Sequence, residues 1–323
     1  MKLACISDLH LRFLPPEKRL DANFFEDVVM AKFTQLYEIA SSNGCKAIIQ
    51  AGDIVDTSDV SKYVISRMMQ VMRNYPHLKM YSCLGQHDIS MRNFAGVKRT
   101  SVYLLEAAGL LKIVGLDGEP VDLGEDVLVH GLSFEQDFNL PEPVEGKFNI
   151  LVAHATVGDK PLYPGHELPG PKSFVRQHKG YRLVCLGDIH YSFRDKFSDC
   201  QIYNTGVMIR KSISEKEQRP NVIIYDTETR TEETVYMNVK PWQEVFQIDD
   251  ATEEVSSNKL QEFIAIMKKE RESGKEGKVT FNSNLLKYYE CQEVATQVKA
   301  VIASAMERVG LTEKQKKEIS HGG

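Results

Sequence analysis

Short motifs of aspartate and histidine recur along the N-terminal part of the chain, and each one directly follows an apolar run typical of a β-strand. The motifs are Asp8-Leu9-His10, Gly52-Asp53, Gly85-Gln86-His87-Asp88, Val152-Ala153-His154-Ala155 and Gly187-Asp188-Ile189-His190. A rigid sheet holds residues at its strand ends, while the loops beyond the strands admit a ligand. The pattern therefore favours a framework of strands and helices that presents these side chains to a functional site.

The first half of the chain alternates strand-like and helical patterns. Apolar runs at 3–6, 47–51 and 78–84 predict strands, and helical spacing at 23–40 and 59–72 predicts the helices between them. Such alternation is typical of βαβ units in a layered α/β fold. Later strand candidates outnumber helices, which favours a mixed sheet or two packed sheets flanked by helices; they lie at 127–130, 148–153, 182–186, 201–204, 222–225 and 234–237.

Near Val239 the strand-like runs of the first part of the chain give way to charged, helical patterns. We therefore expect one domain over residues 1–239 and a small C-terminal α+β region over 240–323. In that region the pattern predicts helices at 256–272 and 284–309 and a short strand at 278–281. The apolar stripe of the last helix permits two interpretations, because such a stripe can pack on its own domain or bind a partner.

Composition narrows the class of protein. The chain has 323 residues and a formal net charge of −5, so any nucleic-acid contact depends on local basic patches. The six cysteines include no CxxC pair, which indicates buried thiols rather than zinc ligands or disulfides. The N-terminus is too short and polar for a signal peptide, and no apolar run approaches the roughly 20 residues of a membrane span. We therefore expect a cytoplasmic protein.

The chemistry of the motifs indicates divalent metal ions. Residues i and i+2 of a strand point to the same side, so Asp8 and His10 can bind one ion, and Asp188 and His190 repeat that geometry. A lone carboxylate such as Asp53 can bridge two ions. Mixed carboxylate and imidazole ligands suit metals such as Mn²⁺ and Zn²⁺. Two ions about 3.5–4 Å apart clamp a phosphate and activate a water, which predicts a two-metal phosphoesterase.

The ordered motifs resemble those of the calcineurin-like metallophosphoesterases over about residues 1–240. Three further features are similar to the SbcD-type DNA double-strand-break-repair nucleases, including bacteriophage members: the opening at 6–12, Tyr203-Asn204-Thr205-Gly206, and Tyr225-Asp226-Thr227-Glu228. The resemblance implies a metal-dependent DNA exonuclease, and by extension an endonuclease, in a repair and recombination complex. It also implies an SbcC-type ATPase partner, a homodimer, and a location in the host cytoplasm if the source is viral.

The same resemblance implies roles for individual residues. The ligands of the first ion would be Asp8, His10 and His190. Those of the second would be Gln86, His154 and Asp188. Asp53 would bridge the two ions, and His87 would contact the phosphate and assist the leaving oxygen. The other histidines (His77, His130, His166, His178 and His321) are interpreted as surface or packing residues.

Two positions depart from the family pattern, which has asparagine at 86 and histidine at 188. Asp188 is a harder ligand than histidine and favours Mn²⁺ or Mg²⁺. Gln86 carries its carbonyl one methylene further out, so the second ion is bound either with altered preference or weakly. Two alternatives to the nuclease therefore stay open. One is a phosphodiesterase or phosphatase acting on a cyclic nucleotide, another small ester or a phosphoprotein; the other is a DNA-end-binding subunit with a degenerate second site.

Overall fold

The computed structural model describes residues 1–90, 93–134, 142–162 and 168–247. The predicted C-terminal helices and strand lie outside the described residues, and so do His166 and His321. Just beyond 239, Trp242–Val245 forms a short helix, and the buried Phe246 pairs with Arg19 in an isolated bridge. The boundary expected after residue 239 stays a prediction.

Twelve strands of the described chain form two six-stranded sheets. The first sheet contains β1 (Lys2–Ile6), β2 (Ala47–Ala51), β3 (Lys79–Cys83), β4 (Leu111–Ile113), β11 (Asn221–Asp226) and β12 (Thr231–Tyr236). Its order is β12-β11-β1-β2-β3-β4. The four strands from β1 to β4 are parallel, whereas β11 and β12 run antiparallel to their neighbours.

The second sheet is also mixed. It contains β5 (Val121–Gly124), β6 (Val127–Leu132), β7 (Phe148–His154), β8 (Leu183–Gly187), β9 (Phe193–Phe197) and β10 (Cys200–Asn204). Its order is β5-β6-β7-β8-β10-β9, with a parallel centre and antiparallel outer strands.

The two sheets pack face to face because alternate residues of each strand point to opposite sides. Leu3, Cys5 and Ile49 of the first sheet share a buried cluster with Val152 and Cys185 of the second. Ala4 and Ile6 of β1 and Ile48 of β2, which point the other way, belong to a separate core on the outer face of the first sheet. The predicted layered α/β fold with two mixed sheets is therefore confirmed.

Helices cover the outer faces. The helices are α1 (Ala31–Ser42), α2 (Lys62–Asn74), α3 (Ser101–Ala107), α4 (Pro171–Gln177) and α5 (Trp242–Val245), with a π-helical segment at Phe25–Met30 and 3₁₀ segments at Phe94–Arg99 and Ile213–Glu215. In α2, the side chain of Ser61 accepts a hydrogen bond from the N–H of Val64 and caps the helix. The buried residues of α2 recur at helical spacing, from Val64 to Met72, and face the core.

The topology positions the motifs. Because β1, β2 and β3 are parallel neighbours, the loops that follow them leave the same edge of the first sheet, and β7 and β8 do the same in the second. His154, the last residue of β7, pairs with Gly187, the last residue of β8. Within the described part of the chain, no helix combines the length and apolar character needed to cross a membrane.

Candidate metal centre

Four candidate ligands have left-handed backbone conformations that only glycine adopts easily. The φ angle is 46° at Asp8 and His10, 54° at Asp53 and 87° at Asp188. Each such conformation costs about 1–3 kcal/mol and persists only where the surroundings enforce it. Here the N–H of Asp8 donates to the carbonyl of Gly52 at 3.3 Å, and the N–H of His10 donates to that of Asp53 at 3.0 Å. The loops after β1 and β2 therefore hold each other in the shape that brings the buried ligands together.

Glycines in the motifs permit close approach of these loops. A Cβ atom at Gly85 would lie 2.1 Å from Oδ1 of Asp53, and one at Gly52 would lie 2.4 Å from Nδ1 of His154. Gly52 also has a φ of 81°. A larger residue at either position would displace a candidate ligand. This explains why a glycine directly precedes Asp53 and why another directly precedes Gln86.

The first cluster joins the ends of β1 and β8. Ligand atoms of Asp8, His10 and His190 lie within 4.8 Å of one another. The Nε2 atoms of the two histidines are 3.3 Å apart. Oδ1 of Asp8 accepts a hydrogen bond from the N–H of Asp188 at 3.1 Å, whereas Oδ2 is buried without a hydrogen-bond partner. Three potential ligands therefore converge on one point.

Asp53 lies between the two clusters. Its Oδ1 accepts a hydrogen bond from the N–H of His87 at 2.8 Å. Its Oδ2 is buried without a hydrogen-bond partner, and it faces the Nε2 atoms of His10 and His154 at 3.6 Å each and that of His87 at 3.9 Å. A carboxylate oxygen enclosed by imidazoles in this way is placed to bridge two cations.

The second cluster consists of His154, Gln86 and Asp188. Oε1 of Gln86 lies 2.7 Å from Nε2 of His154. The amide nitrogen of Gln86 donates a hydrogen bond to Oδ1 of Asp188 at 3.0 Å. The hydroxyl of Thr156 donates to the other oxygen of Asp188. Asp8, Asp53 and His154 also form a group with ligand atoms within 4.8 Å. Gln86 therefore reaches the centre despite its extra methylene, but its amide is engaged with two neighbouring side chains.

An oxygen atom outside the centre lies near Nδ1 of each of the four imidazoles, and it forms a hydrogen bond with three of them, His190, His154 and His87. Nδ1 of His10 lies 3.3 Å from Oδ1 of Asp56, and Nδ1 of His190 lies 2.6 Å from Oε1 of Glu215. Nδ1 of His154 lies 2.7 Å from the carbonyl of Ala51, and Nδ1 of His87 lies 2.7 Å from that of Asp56. Each contact leaves Nε2 facing inward, as is usual for metal-binding histidines.

The electrostatics of the centre favour a bound cation. Burial raises the pKa of Asp8 to about 6, although His154 and His190 oppose the shift. Burial lowers the pKa of His10 to about 4 against the effect of Asp56. At His154, burial opposes protonation, but the carboxylates of Asp53, Asp8 and Asp188 outweigh it and raise the pKa.

Buried carboxylates without partners are costly unless a positive charge compensates them. The unpaired oxygens of Asp8 and Asp53 meet that description. The residues of the centre, which combine hard carboxylates with imidazoles, therefore fit divalent ions.

His87 differs from the other histidines because its side chain is 37% exposed. Its ring packs edge-to-face on that of His10, with centroids 4.9 Å apart. The residue thus lies at the mouth of the centre, where it can touch a substrate. Asp88 anchors this loop, since its carboxylate accepts hydrogen bonds from the N–H groups of Gly85 and Val55. Burial, together with the nearby Asp53, raises the pKa of Asp88 to about 7.

The structure brings all eight candidate residues together; they are Asp8, His10, Asp53, Gln86, His87, His154, Asp188 and His190. Sequence analysis missed Asp56, Thr156 and Glu215. Asp56 could have been found, because it shares a loop with Asp53. Glu215 lies in a 3₁₀ segment without any motif.

The other described histidines are surface or packing residues, as predicted. His130 is buried and contacts Oδ1 of Asn149 at 2.9 Å, and its ring packs on Tyr181. His178 packs on Phe174, and His77 contacts the hydroxyl of Ser41. Their separate environments confirm that they do not belong to the centre.

Comparison with known proteins gives two findings at the level of sequence. The model of a family described as calcineurin-like phosphoesterase matches residues 1–192. The DNA double-strand break repair protein Mre11 of Sulfolobus acidocaldarius is 26% identical over 215 residues, which are 60% of this chain and 51% of that protein. The chain therefore spans about half the length of this curated relative.

Solved structures align with this chain at greater distance. A Thermus thermophilus protein aligns with a TM-score of 0.47 and 13% identity, covering 73% of this chain and 98% of that one. A dimetal phosphatase from Danio rerio aligns with a TM-score of 0.47 and 10% identity, covering 74% and 99%. These likenesses are too remote to bear on substrate.

Proposed function

The chain belongs to the calcineurin-like phosphoesterase family, and on this premise we propose that it is a metal-dependent DNA nuclease that hydrolyses phosphodiester bonds with two divalent ions. One observation carries the proposal. The buried, unpaired Oδ2 of Asp53 is enclosed by the imidazoles of His10, His154 and His87. This is the arrangement that a bridging carboxylate of a dinuclear centre requires.

The proposed ligands divide into two sets that share Asp53. The first ion would be held by Asp8, His10 and His190. The second would be held by Gln86, His154 and Asp188. Mn²⁺ is the preferred candidate and Mg²⁺ the next, because the carboxylates are hard ligands. Bound there, the two ions supply Lewis acids for the phosphate oxygens and for the attacking water.

His87 would act on the substrate. Since its Nδ1 faces the carbonyl of Asp56 at 2.7 Å, Nδ1 carries a proton, and Nε2 can donate only when the ring is an imidazolium. In that form Nε2 would donate to the phosphate or to the leaving oxygen, while the backbone of Asp56 fixes the orientation of the ring.

DNA as substrate is supported by the similarity to Mre11 together with the SbcD-type features of the sequence. On the same basis we propose an SbcC-type ATPase partner, a homodimer and a role in repair and recombination, in the cytoplasm of the cell or of a host if the source is a bacteriophage. Residues 240–323 would form the capping and partner-binding region. We expect exonuclease activity first, and endonuclease activity in addition.

One observation favours a second candidate, a DNA-end-binding subunit with a degenerate second site. The amide of Gln86 already bonds Asp188 and contacts His154, so it occupies the ligands that a second ion needs. A small-molecule phosphodiesterase would use the same chemistry. Only its substrate distinguishes it from the nuclease.

The test combines Mn²⁺ titration with parallel assays on linear duplex DNA, single-stranded DNA and bis(p-nitrophenyl) phosphate. Two bound equivalents and DNA cleavage are expected. One equivalent with no hydrolysis of any substrate would support the degenerate subunit. Turnover of the small ester alone would support the small-molecule enzyme, and both results contradict the nuclease.

A further inference from the structure

A groove of about 760 Å³ opens beside the candidate metal centre. Asp188 and His190 line it, together with residues of β9 and β12, which are outer strands of the two sheets. The groove thus begins at the centre and continues along the outer strands β9 and β12. A ligand confined to the ions would leave most of it unused.

Three basic residues line this groove: Lys160, Arg194 and Arg219. Arg194 on β9 is anchored across the groove, because its Nη1 donates to the hydroxyl of Thr234 at 3.2 Å and lies 3.7 Å from Oε1 of Glu232. A guanidinium has five N–H donors, so these contacts leave others for a ligand. The groove therefore offers anchored positive charge along its wall.

Two tyrosine rings in the groove each pack against one of the basic side chains. Nζ of Lys160 lies 4.3 Å from the ring centroid of Tyr191, whose hydroxyl donates to the carbonyl of Lys160 at 2.8 Å. Cζ of Arg219 lies 4.0 Å from the ring centroid of Tyr236, a residue 47% exposed on β12. Flat rings and guanidinium planes stack nucleic-acid bases, and neighbouring cations contact phosphates.

The acidic lining residues are Asp188, Glu215 and Glu217. The first is a candidate metal ligand, and the second is paired with His190. Away from the centre, three basic residues therefore stand against two carboxylates, those of Glu217 in the lining and of Glu232 beside Arg194. The groove keeps a small excess of positive charge, which complements a polyanion.

We propose that this groove binds a single polynucleotide strand that leads to the scissile phosphodiester, with phosphates on Arg194 and Arg219 and a base stacked at Tyr236. The inference rests on the proposed nuclease function and narrows its substrate. The strand must be long enough to extend past the metal centre.

The first test compares the full chain with the double variant Arg194→Ala/Arg219→Ala. With Mn²⁺, the variant should raise KM for a single strand of about 16 nucleotides at least about tenfold. The slope of log K against log salt for the same strand is negative, and its magnitude should fall by about 1.4, because two single-strand phosphate contacts are lost. Hydrolysis of bis(p-nitrophenyl) phosphate should not change, because this ester is too small to extend from the centre to Arg194 and Arg219. Lys62→Ala/Arg73→Ala, which removes the same charge from exposed positions of α2, is the control.

The second test addresses stacking. Tyr236→Ala should weaken binding of the same oligonucleotide by about 5- to 100-fold, whereas Tyr236→Phe should retain it because the ring is kept. Binding is measured by fluorescence anisotropy in EDTA, so that it does not depend on catalysis.

The anisotropy measurement also separates this inference from the proposed function. If the wild type cleaves no DNA but binds the oligonucleotide, and Arg194→Ala/Arg219→Ala abolishes binding, the groove is supported while the nuclease fails. Absence of oligonucleotide binding by the wild type overturns the proposal that the groove binds a polynucleotide strand. Equal affinity and equal KM in the wild type and both alanine variants overturn it as well.

Discussion

The two sides of the metal centre differ in how their ligands are supported. On the first side, His10 and His190 are each oriented by the carboxylate of another residue, Asp56 and Glu215. On the second side, His154 is oriented by a backbone carbonyl, and Gln86 and Asp188 are bonded to each other. Contacts between ligands must separate before a cation binds: the first side has one, between the Nε2 atoms of His10 and His190, and the second has two, from Gln86 to His154 and to Asp188. We therefore expect the first ion to bind more tightly than the second.

Asp53 serves both sides, so its replacement should have the largest effect. Asp53→Asn removes the charge that we propose both ions share, and hydrolysis should fall by about a thousandfold or more. DNA cleavage and bound Mn²⁺ per chain are measured together, and both should fall. Asp59→Asn, at a nearby exposed carboxylate, is the control. Retention of two ions by the Asp53 variant would contradict the bridging role.

His87 tests the chemistry without disturbing either side. His87→Ala should lower the rate of DNA hydrolysis by about 10²-fold or more, because one positioned donor is lost. Mn²⁺ binding should not change, since the proposed ligands are retained. Stopped assays at saturating Mn²⁺ measure the rate, with His77→Ala as control. Unchanged hydrolysis would exclude His87 as a donor.

Support of the first side depends on Glu215. Glu215→Gln keeps a hydrogen-bond acceptor for Nδ1 of His190 but removes its charge, so affinity for the tighter ion should fall by about 10- to 100-fold. Calorimetric titration with Mn²⁺ resolves the two binding events. The neighbouring Glu217→Gln is a matched control. A loss confined to the weaker ion would mean that Glu215 does not support the first side.

Sequence reasoning anticipated the elements and ligands that depend on local pattern. The strand predicted at 47–51 is β2 (Ala47–Ala51) itself, and all eight candidate residues converge. It missed three strands: β4 and β5, which have three and four residues, and β9, whose Phe193–Phe197 run is mostly exposed. Short or exposed strands carry little apolar periodicity. Glu215 was missed for a different reason, because tertiary folding alone brings it to His190.

The smallest expected effect concerns the second side, where Gln86 departs from the family pattern. Gln86→Asn shortens the side chain by one methylene and should release Asp188 and His154 from the present hydrogen bonds. Affinity for the weaker Mn²⁺ ion should then rise by about tenfold or less, while the tighter ion is unaffected. The titration used for Glu215 measures both ions, and Gln218→Asn supplies a matched substitution outside the centre. If Gln86→Asn weakens the second ion instead, the longer amide is itself a functional ligand. In that case the two sides differ in the geometry of their ligands, and the hydrogen bonds of Gln86 do not lower the affinity of the second side for a cation.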